Sequence, residues 1–141
     1  PGLAACAIAK GCEVGVDVER SDRSVDELTL ARRYFSKSEY ELLDSAPTSS
    51  RRAIFYRLWT LKESYIKACG IGLSLPLADF AFSIPSDRPP TISFTRFNET
   101  APSDWCFSSH EIGDRHQAAV ALHVGRPVRF DCRWSEMPPL L

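Results

Sequence analysis

Apolar and polar residues alternate along residues 13–19, as they do in a strand that is buried on one side. The valines of this segment share one face, whereas Asp17 and Glu19 project together from the other, about 7 Å apart along the strand. A second apolar run, residues 3–9, precedes it across the turn residue Gly11. We therefore predict that these two runs form an antiparallel hairpin.

Capping signals mark two short helices in the next part of the chain. Ser24–Glu27 and Ser36–Glu39 have the spacing of a capping box, in which serine and glutamate side chains satisfy free backbone N–H groups at the start of a helix. We predict that the first helix runs to about Arg33 and the second through Leu43.

A long helix is predicted over residues 51–69. Its apolar residues recur at three- and four-residue intervals, the periodicity of a helix buried on one side. They are Phe55, Leu58, Tyr65 and Ile66. Gly70 is a natural C-terminal stop, because glycine readily adopts the left-handed conformation that ends many helices.

The rest of the chain has the short apolar runs and turn residues of strands. The predicted strands are residues 81–84, 91–97, 105–109 and 117–124. We therefore expect an α+β fold, in which one long and several short helices pack on an antiparallel sheet. The domain should occupy residues 1–124 and be followed by an irregular, proline-containing tail over residues 125–141.

Composition narrows the range of partners. The chain has 141 residues, 44% of them hydrophobic, which is typical of one globular domain. Its net charge of −1 and its lack of a long apolar run give no reason to expect a nucleic-acid or membrane partner. The five cysteines are scattered, without a C-x-x-C pair, so we expect reduced thiols in a cytoplasmic protein.

A charged stripe on the long helix has two interpretations. Trp59, Glu63 and Lys67 are four residues apart and lie on one face. In the first interpretation Glu63 and Lys67 form a surface ion pair that stabilises the helix by about 0.2–0.5 kcal/mol. Asp17 and Glu19 then lie on the solvated face of an edge strand. They also fit a metal site, since two carboxylates that face the same way repel each other unless a cation lies between them. Spacing alone leaves both interpretations open.

The metal interpretation gives each residue a role. Asp17, Glu19 and Glu63 would supply the oxygen ligands that Mg²⁺ prefers, with water and substrate phosphate completing its coordination. Lys62 and Lys67 flank Glu63 and would neutralise phosphate oxygens beyond the metal. This hypothesis predicts a magnesium and polyphosphate site between the strand and the long helix.

Four segments together resemble one enzyme family. They are Gly15–Glu19, Tyr34–Tyr40, Leu58–Lys67 and Gly70–Leu77. In this order they resemble the C-terminal half of a 4′-phosphopantetheinyl transferase of the surfactin-synthetase-activating type, over about residues 3–124. The combination of Asp-x-Glu with Trp-Thr-x-Lys-Glu-Ser-x-x-Lys is specific, whereas either motif alone would be weak.

The resemblance implies an activity and a set of site residues. The family transfers 4′-phosphopantetheine from coenzyme A to a serine of an acyl or peptidyl carrier protein, with Mg²⁺ as cofactor, and releases 3′,5′-ADP. Asp17, Glu19 and Glu63 match its metal ligands, and Lys62 and Lys67 match lysines near coenzyme A. Glu63 and Lys67 are the implied catalytic residues, with Glu63 taking the serine proton.

The chain departs from this family in its size. Members of the surfactin type are pseudo-dimers of two similar halves, and nothing in the chain matches the first half, which grips the adenosine and 3′-phosphate. Because the chain opens at Pro1 straight into an apolar run, we expect a longer natural protein, and self-association of the isolated chain. Two alternatives remain: a non-catalytic module that binds carrier protein, and a half-size, trimeric holo-acyl-carrier-protein synthase.

Overall fold

The computed structural model describes residues 3–96, 98–125 and 133–135. Strands and α-helices alternate irregularly along this part of the chain. In order they are β1 (Glu13–Arg20), α1 (Glu27–Tyr34), α2 (Lys37–Ser45), α3 (Thr48–Cys69), β2 (Phe80–Ser83), β3 (Thr91–Phe94), β4 (Trp105–Ile112) and β5 (His116–His123). No helix in these ranges is long and apolar enough to cross a membrane.

The strands form two antiparallel sheets, and the expected α+β class is confirmed. One sheet has the order β1-β5-β4, and β2 pairs with β3 in the other. Within the larger sheet Asp17 lies opposite Ala119, and Glu19 lies opposite Gln117. Helix α3 packs across β1 and β5, so one face of β1 looks onto the long helix.

The predicted hairpin of residues 3–9 with residues 13–18 is wrong. Residues 3–9 form no strand, and β1 pairs over all eight of its residues with β5, about a hundred positions later in the chain. Ile8 of the first run is left 93% exposed. β1 instead pairs with β5, in which five of the eight residues are buried. Gly11 does adopt the positive φ of a turn, at 75°, but the turn joins no second strand.

The long helix is confirmed, with a start three residues earlier than predicted, at Thr48. Gly70 ends it in the left-handed conformation, and its N–H donates to the carbonyls of Ile66 and Lys67. Its buried side reaches the core through Leu58, Leu61 and Tyr65, which are at most 1% exposed. The helix is therefore anchored in the core from Phe55 to Ala68, which fixes the residues that this stretch carries on its other faces.

One short-helix prediction is confirmed and the other is displaced. Ser36 caps α2 through the full capping box with Glu39. The cap of α1 is Asp26 rather than Ser24, and its carboxylate accepts from the N–H of Thr29 at 3.0 Å. Aspartate caps a helix as well as serine does, so the start moves to the later of two competing caps.

The four later strands lie within two or three residues of their predicted bounds. Phe97, the predicted end of the second, lies outside the described residues. Of the predicted tail, Gly125 and residues 133–135 are described and lie in no helix or strand. The four cysteines in the described ranges form no disulfide, and Cys132 lies outside them.

Candidate active site

Asp17 is the buried centre of the candidate site. It lies in the middle of β1 on the face that looks onto α3, and only 6% of it is exposed. Its Oδ1 accepts from the Nζ of Lys67 at 2.6 Å, which joins the strand to the helix. Its Oδ2 is also buried, yet no donor reaches it from the described ranges of the chain. A buried carboxylate oxygen without a partner is costly and points to a missing cation or donor.

Glu19 and Glu63 complete a carboxylate group with Asp17. Burial, and after it repulsion from Asp17, raises the pKa of Glu63, while Lys67 lowers it. The pKa of Glu19 is raised by the same two causes in the same order, and Arg23 and Lys67 oppose the shift. The carboxylate group (Asp17, Glu19 and Glu63) therefore shares one electrostatic environment, in which its members repel each other.

The side-chain positions in the structure do not form a closed metal site. Across the described residues, no three His, Cys, Asp or Glu side chains converge closely enough to hold an ion. The orphaned Oδ2 of Asp17 and two neighbouring carboxylates nonetheless match the hard oxygen donors that Mg²⁺ takes. The donor set thus fits a small divalent cation in its chemistry and its charge.

Lys67 lies beside the carboxylates, with its ammonium bonded to Asp17. Its salt bridge runs to Asp17 on the strand, so the interpretation of Lys67 and Glu63 as a plain surface pair does not describe its contacts. Half of its side chain remains exposed, which leaves the ammonium open to a second partner from solvent. An exposed ammonium at the edge of a carboxylate group is suited to contact a phosphate.

Lys62 is placed elsewhere, and the expectation that it binds phosphate is not supported by its position. Its side chain is completely buried, and its Nζ lies 2.8 Å from the Oε2 of Glu39. The same Nζ donates to the carbonyls of Leu77 and Phe80. Burial lowers the pKa of Lys62, and the negative charge of Glu39 opposes that shift. The motif showed a lysine beside Glu63, but it gave no sign of a partner on another helix.

Gly15 is a site residue that the sequence analysis missed. A Cβ on it would lie 2.0 Å from the carbonyl oxygen of Ser64 and 2.4 Å from the backbone nitrogen of Ala68. Only glycine therefore lets β1 approach α3 at this point. The signal was present in the sequence, as a glycine inside an apolar strand, which often marks a close approach of backbone.

A cleft on another part of the described chain contains none of the three carboxylates. It has a volume of about 650 Å³ and lies between α2, α3 and β2. Its cation, Arg57, is already bound to the carbonyls of Ile84 and Pro85. We therefore locate the candidate site by its chemistry, at the carboxylate group, rather than by cavity size.

Two 4′-phosphopantetheinyl transferases are similar in sequence to most of this chain. The chain is 35% identical to the 4′-phosphopantetheinyl transferase HetI of Nostoc sp. over 120 residues, 85% of this chain and 47% of the relative. It is 40% identical to the 4′-phosphopantetheinyl transferase Sfp of Bacillus subtilis over 115 residues, 81% of this chain and 49% of the relative. The chain thus spans about half the length of these curated relatives.

Solved structures show the same fold. A holo-[acyl-carrier-protein] synthase of Thermotoga maritima superposes with a TM-score of 0.60 at 24% identity, covering 78% of this chain and 61% of that one. A synthase of Bacillus anthracis, solved in complex with coenzyme A, gives a TM-score of 0.64 at 18% identity, covering 78% and 93%.

A family model covers the strand, the helix and all the residues of the candidate site. The match runs over residues 13–121, from the first residue of β1 into β5. It agrees with the resemblance predicted from the four sequence segments, and with the surfactin-activating type of relative. The chain belongs to the 4′-phosphopantetheinyl transferase superfamily.

Proposed function

We propose that this chain supplies the catalytic carboxylates of an enzyme that transfers 4′-phosphopantetheine from coenzyme A to a serine of an acyl or peptidyl carrier protein. One observation carries the proposal: the buried Asp17 keeps an oxygen without a donor, beside two further carboxylates. A group so arranged is stabilised when a cation binds it. Family membership makes coenzyme A the natural source of the phosphate that shares this cation.

Asp17, Glu19 and Glu63 are the residues that would hold Mg²⁺. When bound, the ion offsets the charge of the diphosphate and of the leaving group. Burial and repulsion from Asp17 raise the pKa of Glu63, which makes it a stronger proton acceptor than a free glutamate. Lys67 holds Asp17 in place and presents its exposed ammonium to a phosphate oxygen.

The proposed reaction exchanges the phosphoanhydride bond of the coenzyme A diphosphate for a phosphoester bond to serine. The serine oxygen bonds to the phosphorus that carries pantetheine, and the bond from that phosphorus to the bridging diphosphate oxygen breaks. The product 3′,5′-ADP leaves with the electron pair, and the serine proton passes to Glu63, directly or through water. We also propose a cytoplasmic site for this reaction, because five scattered cysteines without a C-x-x-C pair suit a reducing compartment.

Transfer should be visible as a gain in mass of an apo carrier protein by one phosphopantetheine group. The assay uses coenzyme A and Mg²⁺, with the chain alone and with the chain fused behind the unmatched N-terminal part of the Bacillus subtilis relative. Asp17→Asn should abolish transfer and weaken Mg²⁺ binding in calorimetry, because it removes the buried charge. Glu13→Gln, on the same strand but exposed and paired with His123, is the matched control and should remain active.

The outcomes separate the proposal from its alternatives. The second candidate is a non-catalytic binding module, because the chain matches only about half of each relative. Carrier protein that binds to the chain alone and to the fused chain, but is modified by neither, would favour it. Transfer by the chain alone as a stable trimer would favour the half-size synthase type. An Asp17→Asn variant with full activity would contradict the proposed metal site.

Lys67→Met should raise the KM for coenzyme A by about 10-fold or more, because a hydrogen bond to a charged group contributes about 1.5–3 kcal/mol. Steady-state kinetics at saturating carrier protein measure the change. Lys37→Met, which removes an exposed lysine paired with Glu41 on α2, is the control and should leave KM unchanged. An unchanged KM in Lys67→Met would show that its ammonium does not contact coenzyme A.

A further inference from the structure

The ammonium of Lys62 is one of the most enclosed charges in the described residues. Its side chain is 0% exposed, and its Nζ has three oxygen partners: a carboxylate oxygen of Glu39 and the carbonyls of Leu77 and Phe80. It also lies 4.4 Å from the centre of the Phe80 ring, a cation–π contact. Solvent and substrate do not reach this cation, so it interacts only with groups of the protein.

Glu39 is as deeply buried as its partner, at 1% exposed. Its Oε2 accepts from the N–H and the hydroxyl of Ser36, at the start of α2. Its Oε1 accepts from the N–H of Phe82 in β2, at 2.9 Å. The Lys62–Glu39 pair therefore ties three elements together: the start of α2, strand β2 and the middle of α3.

The pair acts on the helical turn that carries Glu63. Lys62 and Glu63 are neighbours in α3 and point about 100° apart around its axis. On the sheet side, the same stretch of α3 is held by the close approach of Gly15 and by the bond between Lys67 and Asp17. With the Lys62–Glu39 pair on the other side, the helix is held from two directions. Its rotation, and with it the direction of Glu63, is thereby fixed.

We propose that Lys62 and Glu39 are positioning residues for Glu63, holding its turn of α3 at the angle that the carboxylate group requires. This inference rests on the proposed transferase function. Stability alone gives a poor reason for such a pair, since apolar residues of similar volume replace buried ion pairs in some proteins without loss of stability. A buried network in which every group has its partner does fix geometry, because each bond has a preferred direction.

The test uses Lys62→Met, Glu39→Gln and the double variant, in whichever form of the chain transfers phosphopantetheine. Both single variants should lower kcat by about 10²-fold, the usual cost of a displacement near 1 Å, while KM for coenzyme A stays within about twofold. The two losses should not multiply in the double variant, because both residues act through one contact. Glu39→Gln discriminates better between the two roles than Lys62→Met does. If Lys62 bound phosphate, Glu39→Gln would leave kcat unchanged.

Leu43→Ala is the control for lost stability. Leu43 is buried in α2, outside the pair and the site, so its truncation loosens the core without breaking the network. All variants are assayed at a temperature at which circular dichroism shows them to be folded. Leu43→Ala should then keep the parent kcat.

Each remaining outcome overturns the proposal in its own way. A higher KM with an unchanged kcat in Lys62→Met would show that Lys62 binds coenzyme A. Equal losses of kcat in Leu43→Ala and in the pair variants would reduce the role of the pair to general stability. Unchanged kcat and KM in Glu39→Gln would show that Glu39 does not position Glu63. A parent chain that transfers nothing would overturn the proposed function first, and the positioning role with it.

Discussion

Glu63→Gln should lower kcat for phosphopantetheine transfer by about 10²–10⁴-fold, the usual contribution of a positioned acid or base. The change keeps the size of the side chain and removes its charge, so both the proton acceptor and one carboxylate of the group are lost. Because the half-buried Glu63 is also freed from repulsion by Asp17, the variant should be at least as stable as the parent. A thermal melt and a single-turnover assay on the same preparation measure the two effects.

The control for Glu63→Gln is Glu41→Gln. Glu41 is an exposed glutamate on α2 whose partner is Lys37, and its loss should change neither activity nor stability measurably. If Glu63→Gln retained more than about a tenth of the parent kcat, the expected role as a base would be wrong.

Gly15→Ala should destabilise the fold by about 3 kcal/mol or more, at or beyond the upper end of overpacking effects. The new Cβ meets backbone atoms of Ser64 and Ala68, which are fixed inside α3. The strand would have to move away from the helix, and it would take Asp17 and Glu19 with it. Activity should therefore fall even in the fraction of molecules that remains folded, as urea denaturation and transfer assays would measure.

Two further variants make the Gly15 prediction specific. Gly11→Ala, where φ is +75° but nothing lies within 4 Å, should cost only about 1–2 kcal/mol. Ala68→Gly should not rescue Gly15→Ala, because the clash at residue 68 is with the backbone and not with the side chain. A rescue, or a Gly15→Ala variant as stable as the parent, would refute the close approach of β1 to α3.

Local patterns in the sequence predicted the parts of the fold that depend on neighbouring residues. Three such parts are the long helix, its stop at Gly70 and the capping box of Ser36 with Glu39. Each depends on residues that are close together in the sequence. The metal interpretation and the family resemblance both placed Asp17 and Lys67 in one site, and the structure brings the two side chains into contact. Nothing in their spacing of fifty residues indicates a contact.

The features that the sequence analysis missed depend on distant parts of the chain. Strand β1 has the pattern of a strand, but the pattern does not say which of several apolar runs will pair with it. The sequence turns Lys62 about 100° away from Glu63 around the helix. It does not show that Glu39, 23 positions earlier on α2, is the buried partner of Lys62. Contacts of this kind are properties of the packed structure and have no local signature.

The pairing of β1 with β5 also has a consequence for the order of events during synthesis. Asp17 stands early in the chain, whereas its opposite residue Ala119 comes about a hundred residues later. At roughly 5–20 residues per second, a ribosome makes the second only several seconds after the first. Until then β1 has neither its sheet partner nor a complete surface beneath α3, and closing so long a loop is slow. The nascent chain therefore carries Asp17 and Glu19 for seconds on an unpaired strand, and β1 is a segment that a chaperone would protect during this interval.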